Sequence, residues 1–252
     1  MKIEIRETKT DGIVQITTLD ERWYHNQLKG IFRPSSTWIA GHYPKGIEFY
    51  KWLAQKGWDE SEALKKAGGN RGSKVHQGIE HLMKEGQIAM DARFLNSRGD
   101  EEELTVEEWE CIISFYDWFL EAKPEILAFE QIVESDKYNY AGTLDLKCKI
   151  DDEIWIVDFK TSAHIWPEMG LQLSSYKHAD GNEDVVKQGI LQLNYKKNKA
   201  RYKFTELEDK FGLFLAAREI WMDENKDKKP AQKDYPILLQ LPRKVTMDYE
   251  NK

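Results

Sequence analysis

Two aspartates and a lysine carry the most readable chemistry in the chain. Gly142-Thr143-Leu144-Asp145 lies in one alternating stretch, and Asp158-Phe159-Lys160 ends the next, thirteen residues further on. The period of 2 makes these adjacent strands, joined by the polar turn Asp151-Asp152. Neighbouring strands run ~5 Å apart, so Asp145 and Asp158 can point at one spot. Two carboxylates placed there repel each other unless a cation sits between them. Lys160 lies two residues past Asp158, on the same face of its strand. Asp, Asp and Lys converging on a point make a divalent-cation site with an ammonium beside it. Hard oxygen ligands favour Mg²⁺ or Mn²⁺ over zinc. Alone, an Asp-x-Lys on a strand edge is commonly a solvated ion pair. Here Ile154, Ile156 and Val157 make the strand apolar, and an unpaired charge at its end is costly.

The surrounding pattern shows which elements must position these residues. Residues 1–33 open with a strand pair, Lys2 to Glu7 and Ile13 to Thr18, turned at Asp11-Gly12. Residues 34–123 read as a helical section. Pro34 to Thr37 is a helix entry, and Gly46 to Gly57 carries an apolar face of Ile47, Tyr50, Trp52 and Leu53. A helix follows over Asn70 to Glu85, with Val75, Ile79, Leu82 and Met83 in phase and Gly86 as its C′ residue. Residues 99–103 are a polar break. Val106 to Ala122 is a strong helix with Thr105 as N-cap and Pro124 as its stop. Residues 124–207 form the core: strands over 126–134, 140–150 and 153–159, a helix from Pro167 to Ala179, then a hairpin over 189–195 and 200–207. An amphipathic helix over 208–225 and a charged tail, briefly apolar at Tyr235 to Leu241, complete 208–252. The whole reads as one α/β (α+β) domain, with a mixed central sheet flanked by helices and a helical N-terminal section.

With those motifs in order, the chain resembles the PD-(D/E)XK nuclease superfamily, in its RecB-like exonuclease branch. Within that branch it is most similar to viral exonucleases and the mitochondrial genome-maintenance exonuclease. The resemblance runs from about Pro34 to Ala179 and rests on four features: a helical His76, then Gly142 with Asp145, then Asp158 with Lys160, then a helical Gln172 and Tyr176. Glu130 matches a glutamate often found one strand before the first aspartate. The one departure is Leu144 in place of proline before Asp145. The resemblance implies a restriction-endonuclease-like core and a metal-dependent DNA exonuclease, acting on single strands or ends in viral or bacterial replication, recombination or repair. It extends the ligand set of Asp145 and Asp158 to His76 and the backbone carbonyl of Phe159, around one or two Mg²⁺ or Mn²⁺ ions. Lys160 then orients the attacking water or offsets charge on the phosphate. Glu80, one turn after His76, is placed to orient the imidazole. Gln172 and Tyr176 share a helix face and are implied to touch DNA or to support Lys160. Arg71 and Ser73, read as the start of the His76 helix, offer a cation and N–H groups to phosphate, and Thr161 joins them as a DNA contact. The same core also suits a structure-specific endonuclease, or a DNA-end-binding module without catalysis.

Composition sets the limits. The 252 residues hold 37 Lys and Arg against 44 Asp and Glu, a net charge of −7, which on its face disfavours nucleic acid. Yet Asp100 to Glu110 contains seven acids and no base, leaving 37 acids to face the 37 bases elsewhere. That acidic segment is expected to lie away from DNA. The run from Lys196 to Lys203 holds five basic residues and no acid, with Tyr195 and Tyr202 interleaved, and could track a nucleic-acid backbone. Nine tryptophans sit mostly in amphipathic patterns and read as core. Cys111 and Cys148 are too few for a disulfide framework or an iron–sulfur cluster. No apolar run approaches the ~20 residues of a membrane span, and the charged first dozen residues hold no leader core. A cytoplasmic protein with DNA as partner, alongside replication or recombination proteins, is the expectation.

Overall fold

The computed structural model describes residues 12–17, 21–96, 99–228 and 230, and at residues 4–7 the backbone alone. Strands β1 (Glu4–Glu7), β2 (Ile13–Thr17), β3 (Arg22–Asn26) and β4 (Ile31–Pro34) form an antiparallel sheet in chain order. The sequence leads to a strand pair here; β3 and β4 extend it. Trp23 and Tyr24 are consecutive and both buried, so β3 lacks the alternation that marks a half-buried strand. Gly30, at φ +66°, turns β3 into β4.

Ser35 caps the short α1 (Ser36–Ala40), its hydroxyl accepting the Trp38 amide. Helix α2 (Ile47–Lys56) buries none of its residues, so the face of Ile47 and Tyr50 points to solvent instead of a core. Helix α3 (Trp58–Glu85) starts twelve residues before the expected Asn70 and runs unbroken through Gly68-Gly69 and Gly72. Gly86, at φ +73°, ends it as the spacing predicts. Residues 99–103 are no mere break: β6 (Glu101–Glu103) pairs with β5 (Arg93–Leu95). Helix α4 (Val106–Ala122) begins with a complete capping box between Thr105 and Glu108.

The core follows closely as expected: β7 (Glu125–Ser135), β8 (Tyr140–Ile150), β9 (Glu153–Lys160), α5 (Pro167–Lys177), β10 (Lys187–Leu193), β11 (Tyr202–Glu206) and α6 (Phe211–Glu224). The five strands lie in the order β11-β10-β9-β8-β7. Only β9 and β10 are parallel, and α5 makes the crossover between them. Helices cover both faces. Val75 and Ile79 of α3 and Cys111, Ile112 and Phe115 of α4 pack on Leu146, Val157, Phe159 and Leu191. On the other face Tyr176 of α5 packs on Leu144 and Ile156, while α1, α5 and α6 meet around Trp23 and Tyr140. No helix of the described residues is long and apolar enough to cross a membrane. The apolar run from Tyr235 to Leu241, and Lys2, Ile3 and Thr18 at the strand ends, lie outside the described residues.

Candidate active site

The site forms where three strands stop behaving regularly. Glu130 of β7 sits opposite Asp145 of β8, between the pairs Phe129↔Leu146 and Gln131↔Leu144. Pairing between β8 and β9 ends at Leu146↔Val157, one step before Asp145 and Asp158 would face each other. The register thus carries three carboxylates across three neighbouring strands. At this point β8 pivots. Leu144 packs with Tyr176 on one side of the sheet and Leu146 with Phe159 on the other, although residues two apart in a regular strand share a face. Glu130 lies at φ +46°, a left-handed backbone that costs a glutamate about 1 kcal/mol or more.

Where the strands part, side chains take over the hydrogen bonding. Asp145 Oδ2 accepts the Phe159 N–H at 2.7 Å. Helix α3, seated through Val75 and Ile79, brings His76 to the same place. Its Nε2 lies 3.0 Å from the Phe159 carbonyl oxygen, and its Nδ1 lies 3.5 Å from Asp145 Oδ1 and 3.7 Å from Glu130 Oε1. Lys160 reaches back so that Nζ stands 2.6 Å from Asp158 Oδ2. That carboxylate is 2% exposed, and Oδ2 has the ion pair but no aligned hydrogen bond.

Burial and charge work against each other at every group. Burial pushes Asp158 up to about 6, against the pull of Lys160 and with Asp145 adding its like charge. Glu130 is also raised by burial, despite the His76 charge beside it. Burial would raise Asp145 too, but the His76 and Lys160 charges and the Phe159 amide hold it below the usual carboxylate range. Burial disfavours a charged His76, yet Asp145 and Glu130 outweigh it and keep the imidazolium well above its ordinary range. Lys160 likewise keeps its proton, because Asp158 and Asp145 more than offset its desolvation. The site therefore holds three carboxylates against two side-chain cations.

That donor set fits a hard divalent cation. His76, Glu130 and Asp145 bring ligand atoms within 4.8 Å of one another, and Asp158 Oδ2 is a buried oxygen faced by the Lys160 ammonium beside them. The hydrogen bond between His76 Nε2 and the Phe159 carbonyl, 3.0 Å long, holds the imidazole against β9 beside these oxygens.

No family model and no curated protein matches the sequence. Among solved structures the chain is similar to an alkaline exonuclease from Laribacter hongkongensis. The two align over 76% of this chain and 87% of that one, at 11% identity and a TM-score of 0.40.

The remaining residues singled out from sequence fall in different places. Gln172 Nε2 donates to the Tyr176 hydroxyl at 2.6 Å, so the two do share a face of α5, with Tyr176 buried in the core. Glu80 salt-bridges Lys84 at 2.5 Å and adds negative potential at Glu130, while Phe159, Asp145 and Glu130 occupy the His76 nitrogens. Arg71 and Ser73 are not at a helix start. They lie mid-way along α3, where backbone amides are spent within the helix, so the reading of free N–H groups fails. Ser73 Oγ donates to the Leu95 carbonyl, and Arg71 spans Glu107 and the Thr161 carbonyl, both at 3.2 Å. The acidic segment is accordingly not remote: through Arg71, Glu107 adjoins the loop that follows Lys160. Its acids are largely neutralised in place, Glu102 and Glu108 by Lys74, Glu103 by Arg93 and Glu110 by Arg201.

Three neighbours of the site, Gln192, Tyr24 and Arg22, carry no sequence signal. Gln192, the register partner of Lys160, is buried and donates to the Ser162 and Ala163 carbonyls at 3.1 Å each. Tyr24 of β3 meets Thr143 Oγ1 at 3.0 Å, tying the N-terminal sheet to β8, and Arg22 on the same strand face bears electrostatically on Lys160. Gly142 is dictated by Tyr176: a Cβ there would collide with the ring at Cε1 and stand 3.1 Å from Cζ.

Proposed function

We propose that the protein is a Mg²⁺- or Mn²⁺-dependent nuclease of the PD-(D/E)XK type that hydrolyses phosphodiester bonds in DNA. The observation that carries this reading is the meeting of Glu130, Asp145, Asp158, His76 and Lys160 where β8 and β9 part. Asp145, Asp158, His76 and the Phe159 carbonyl, with Glu130 alongside, would hold the metal. When bound there, a divalent cation supplies Lewis acidity toward the phosphodiester and lowers the pKa of a bound water. Lys160, fixed by Asp158, holds the water in line and offsets charge building on the phosphate. Asp145 is locked in its ionised, ligating orientation by the Phe159 amide. Gln172 fixes the Tyr176 hydroxyl behind the metal-bearing strands. No serine, cysteine or tyrosine nucleophile is used, so cleavage proceeds by direct attack of water without a covalent intermediate.

The resemblance to RecB-like exonucleases supports an enzyme that works from ends, with single-stranded DNA or DNA ends as substrate, in viral or bacterial replication, recombination or repair. The test is a time course on end-labelled linear DNA and on the same DNA as a closed circle, in Mg²⁺, Mn²⁺, Ca²⁺ and EDTA. The reading expects the linear form to be degraded in Mg²⁺ or Mn²⁺ and the closed circle to be spared. Cutting of the circle at an equal rate would replace the exonuclease by an endonuclease. An inert protein under all conditions would overturn the nuclease reading.

A further inference from the structure

The basic turn between β10 and β11 occupies a place that gives it a use. β10 runs parallel to β9, with Gln192 level with Lys160, so the turn that begins at Asn194 starts about 7 Å past the level of Lys160 at the same end of the sheet. The turn is internally wired. Tyr195 N–H donates to the Arg201 carbonyl at 2.6 Å, the Arg201 guanidinium binds Asn194 Oδ1, and Asn198 Nδ2 donates to the Tyr202 carbonyl at 2.7 Å. It is also bolted to α4: the Asn194 N–H donates to Ser114 Oγ at 3.1 Å, and Asn194 Nδ2 and Arg201 both bind Glu110. Glu110 lies one helical turn from Glu107, which holds Arg71 and through it the Thr161 carbonyl beside Lys160. One face of α4 thus fixes the turn relative to the catalytic strand.

Arg201 is consumed by that scaffolding. Lys196, Lys197 and Lys199 are not. All three are exposed and pair with no carboxylate among the described residues, while Lys203 lies over the Tyr195 ring at 5.7 Å. Elsewhere most surface lysines are matched, among them Lys29, Lys51, Lys56, Lys84, Lys149 and Lys187. A rigid turn presenting three unmatched ammonium groups in a chain of net charge −7 is suited to a polyanion of regular charge spacing.

We propose that the turn from Asn194 to Arg201 is a preformed anchor for a nucleic-acid backbone, with Lys196, Lys197 and Lys199 holding phosphates of the strand beyond the bond being cut. The proposal rests on the nuclease reading and adds where the substrate is gripped outside the reacting centre. Because α4 and Asn194 order the turn beforehand, little entropy is lost when phosphate binds.

Fluorescence anisotropy of a labelled single-stranded DNA oligonucleotide, titrated in EDTA over a series of salt concentrations, tests it. Each phosphate contact contributes about 0.7 to the slope of log K against log salt on a single strand, so removing three lowers the slope by roughly 2. The variant carrying Lys196→Ala, Lys197→Ala and Lys199→Ala is expected to show that smaller slope, with its affinity deficit greatest at low salt. The matching triple Lys→Arg variant keeps the parental slope. Far-UV circular dichroism of both variants is expected to match the parent, since all three side chains are exposed. Equal slopes for the alanine variant and the parent would overturn the anchor, while Mg²⁺-dependent hydrolysis by the parent would leave the nuclease reading standing. Absence of DNA binding by the parent would overturn the anchor, and absence of Mg²⁺-dependent hydrolysis as well would overturn both.

Discussion

Asp145 accepts the main-chain N–H of Phe159 through Oδ2 at 2.7 Å, so a side chain fills the place of a ladder bond where β8 and β9 diverge. This single contact opens the sheet, fixes the carboxylate and leaves Oδ1 facing His76 Nδ1 at 3.5 Å. A charge-assisted hydrogen bond of this kind favours the ionised form. Divergence of the strands and acidity of Asp145 are therefore one arrangement.

The imidazolium of His76 depends on that acidity. Replacing Asp145 by Asn keeps an oxygen for the Phe159 amide but removes the charge that opposes His76 desolvation. The His76 pKa is expected to fall from well above its ordinary value, since burial then opposes the charge with less to offset it. A histidine NMR titration in EDTA measures it. An unchanged His76 resonance profile would mean that Asp145 does not govern the imidazole.

Asp158 supplies a pH signature of the metal-free protein. Its pKa is about 6 in the folded chain against 3.8 as an ordinary side chain, so the folded state holds the proton more tightly. Its contribution to stability is complete below about pH 4 and is lost as pH rises through about 6. Asp158→Asn cannot ionise and escapes this loss. In EDTA the variant is expected to gain on the parent by up to roughly 3 kcal/mol between about pH 4 and pH 7. Added Mg²⁺ at neutral pH then raises the melting temperature of the parent and leaves that of the variant almost unchanged. A stability difference that is constant across pH would contradict the buried, cation-seeking carboxylate.

Gly142 tests the packing behind the site. Gly142→Ala pushes a methyl into the fully enclosed Tyr176 ring and to within 3.2 Å of Ser36 Oγ. Overpacking of this kind costs about 1–3 kcal/mol. The loss should shrink in the double variant with Tyr176→Leu, because the colliding ring is then absent. Chemical denaturation of the four proteins gives the coupling, and strictly additive losses would refute the contact.

Much of this architecture is legible in the residues. The β8 boundaries, Tyr140 to Ile150, and α4, Val106 to Ala122 with its Thr105 cap, match their sequence patterns because alternation, capping and a following proline agree there. The approach of Asp145 to Asp158 and Lys160 follows from the pairing of β8 with β9, which runs to Leu146↔Val157, one step short of the two aspartates. Other parts are set by tertiary context. Gly68, Gly69 and Gly72 disfavour helix by about 1 kcal/mol each, so the sequence pattern starts this helix at Asn70 instead of Trp58. That hides the mid-helix position of Arg71. The left-handed backbone of Glu130 and the pivot of β8 at Asp145 leave no mark in composition or period. Nor does the path of the acidic segment, most of whose charges are paired with Lys74, Arg93, Arg71 and Arg201. Net charge counts those acids; only the fold shows where each is spent.

The most direct measurement of the central claim is Mg²⁺-dependent hydrolysis of end-labelled DNA by the parent beside Asp145→Asn and Asp158→Asn, each first shown to be folded by circular dichroism. The arrangement of the site predicts labelled products from the parent in Mg²⁺, none in EDTA, and a loss of at least ~10³-fold in either variant, as expected when metal-held water is the nucleophile. Hydrolysis by either variant at the parental rate, or by the parent in EDTA, would contradict it.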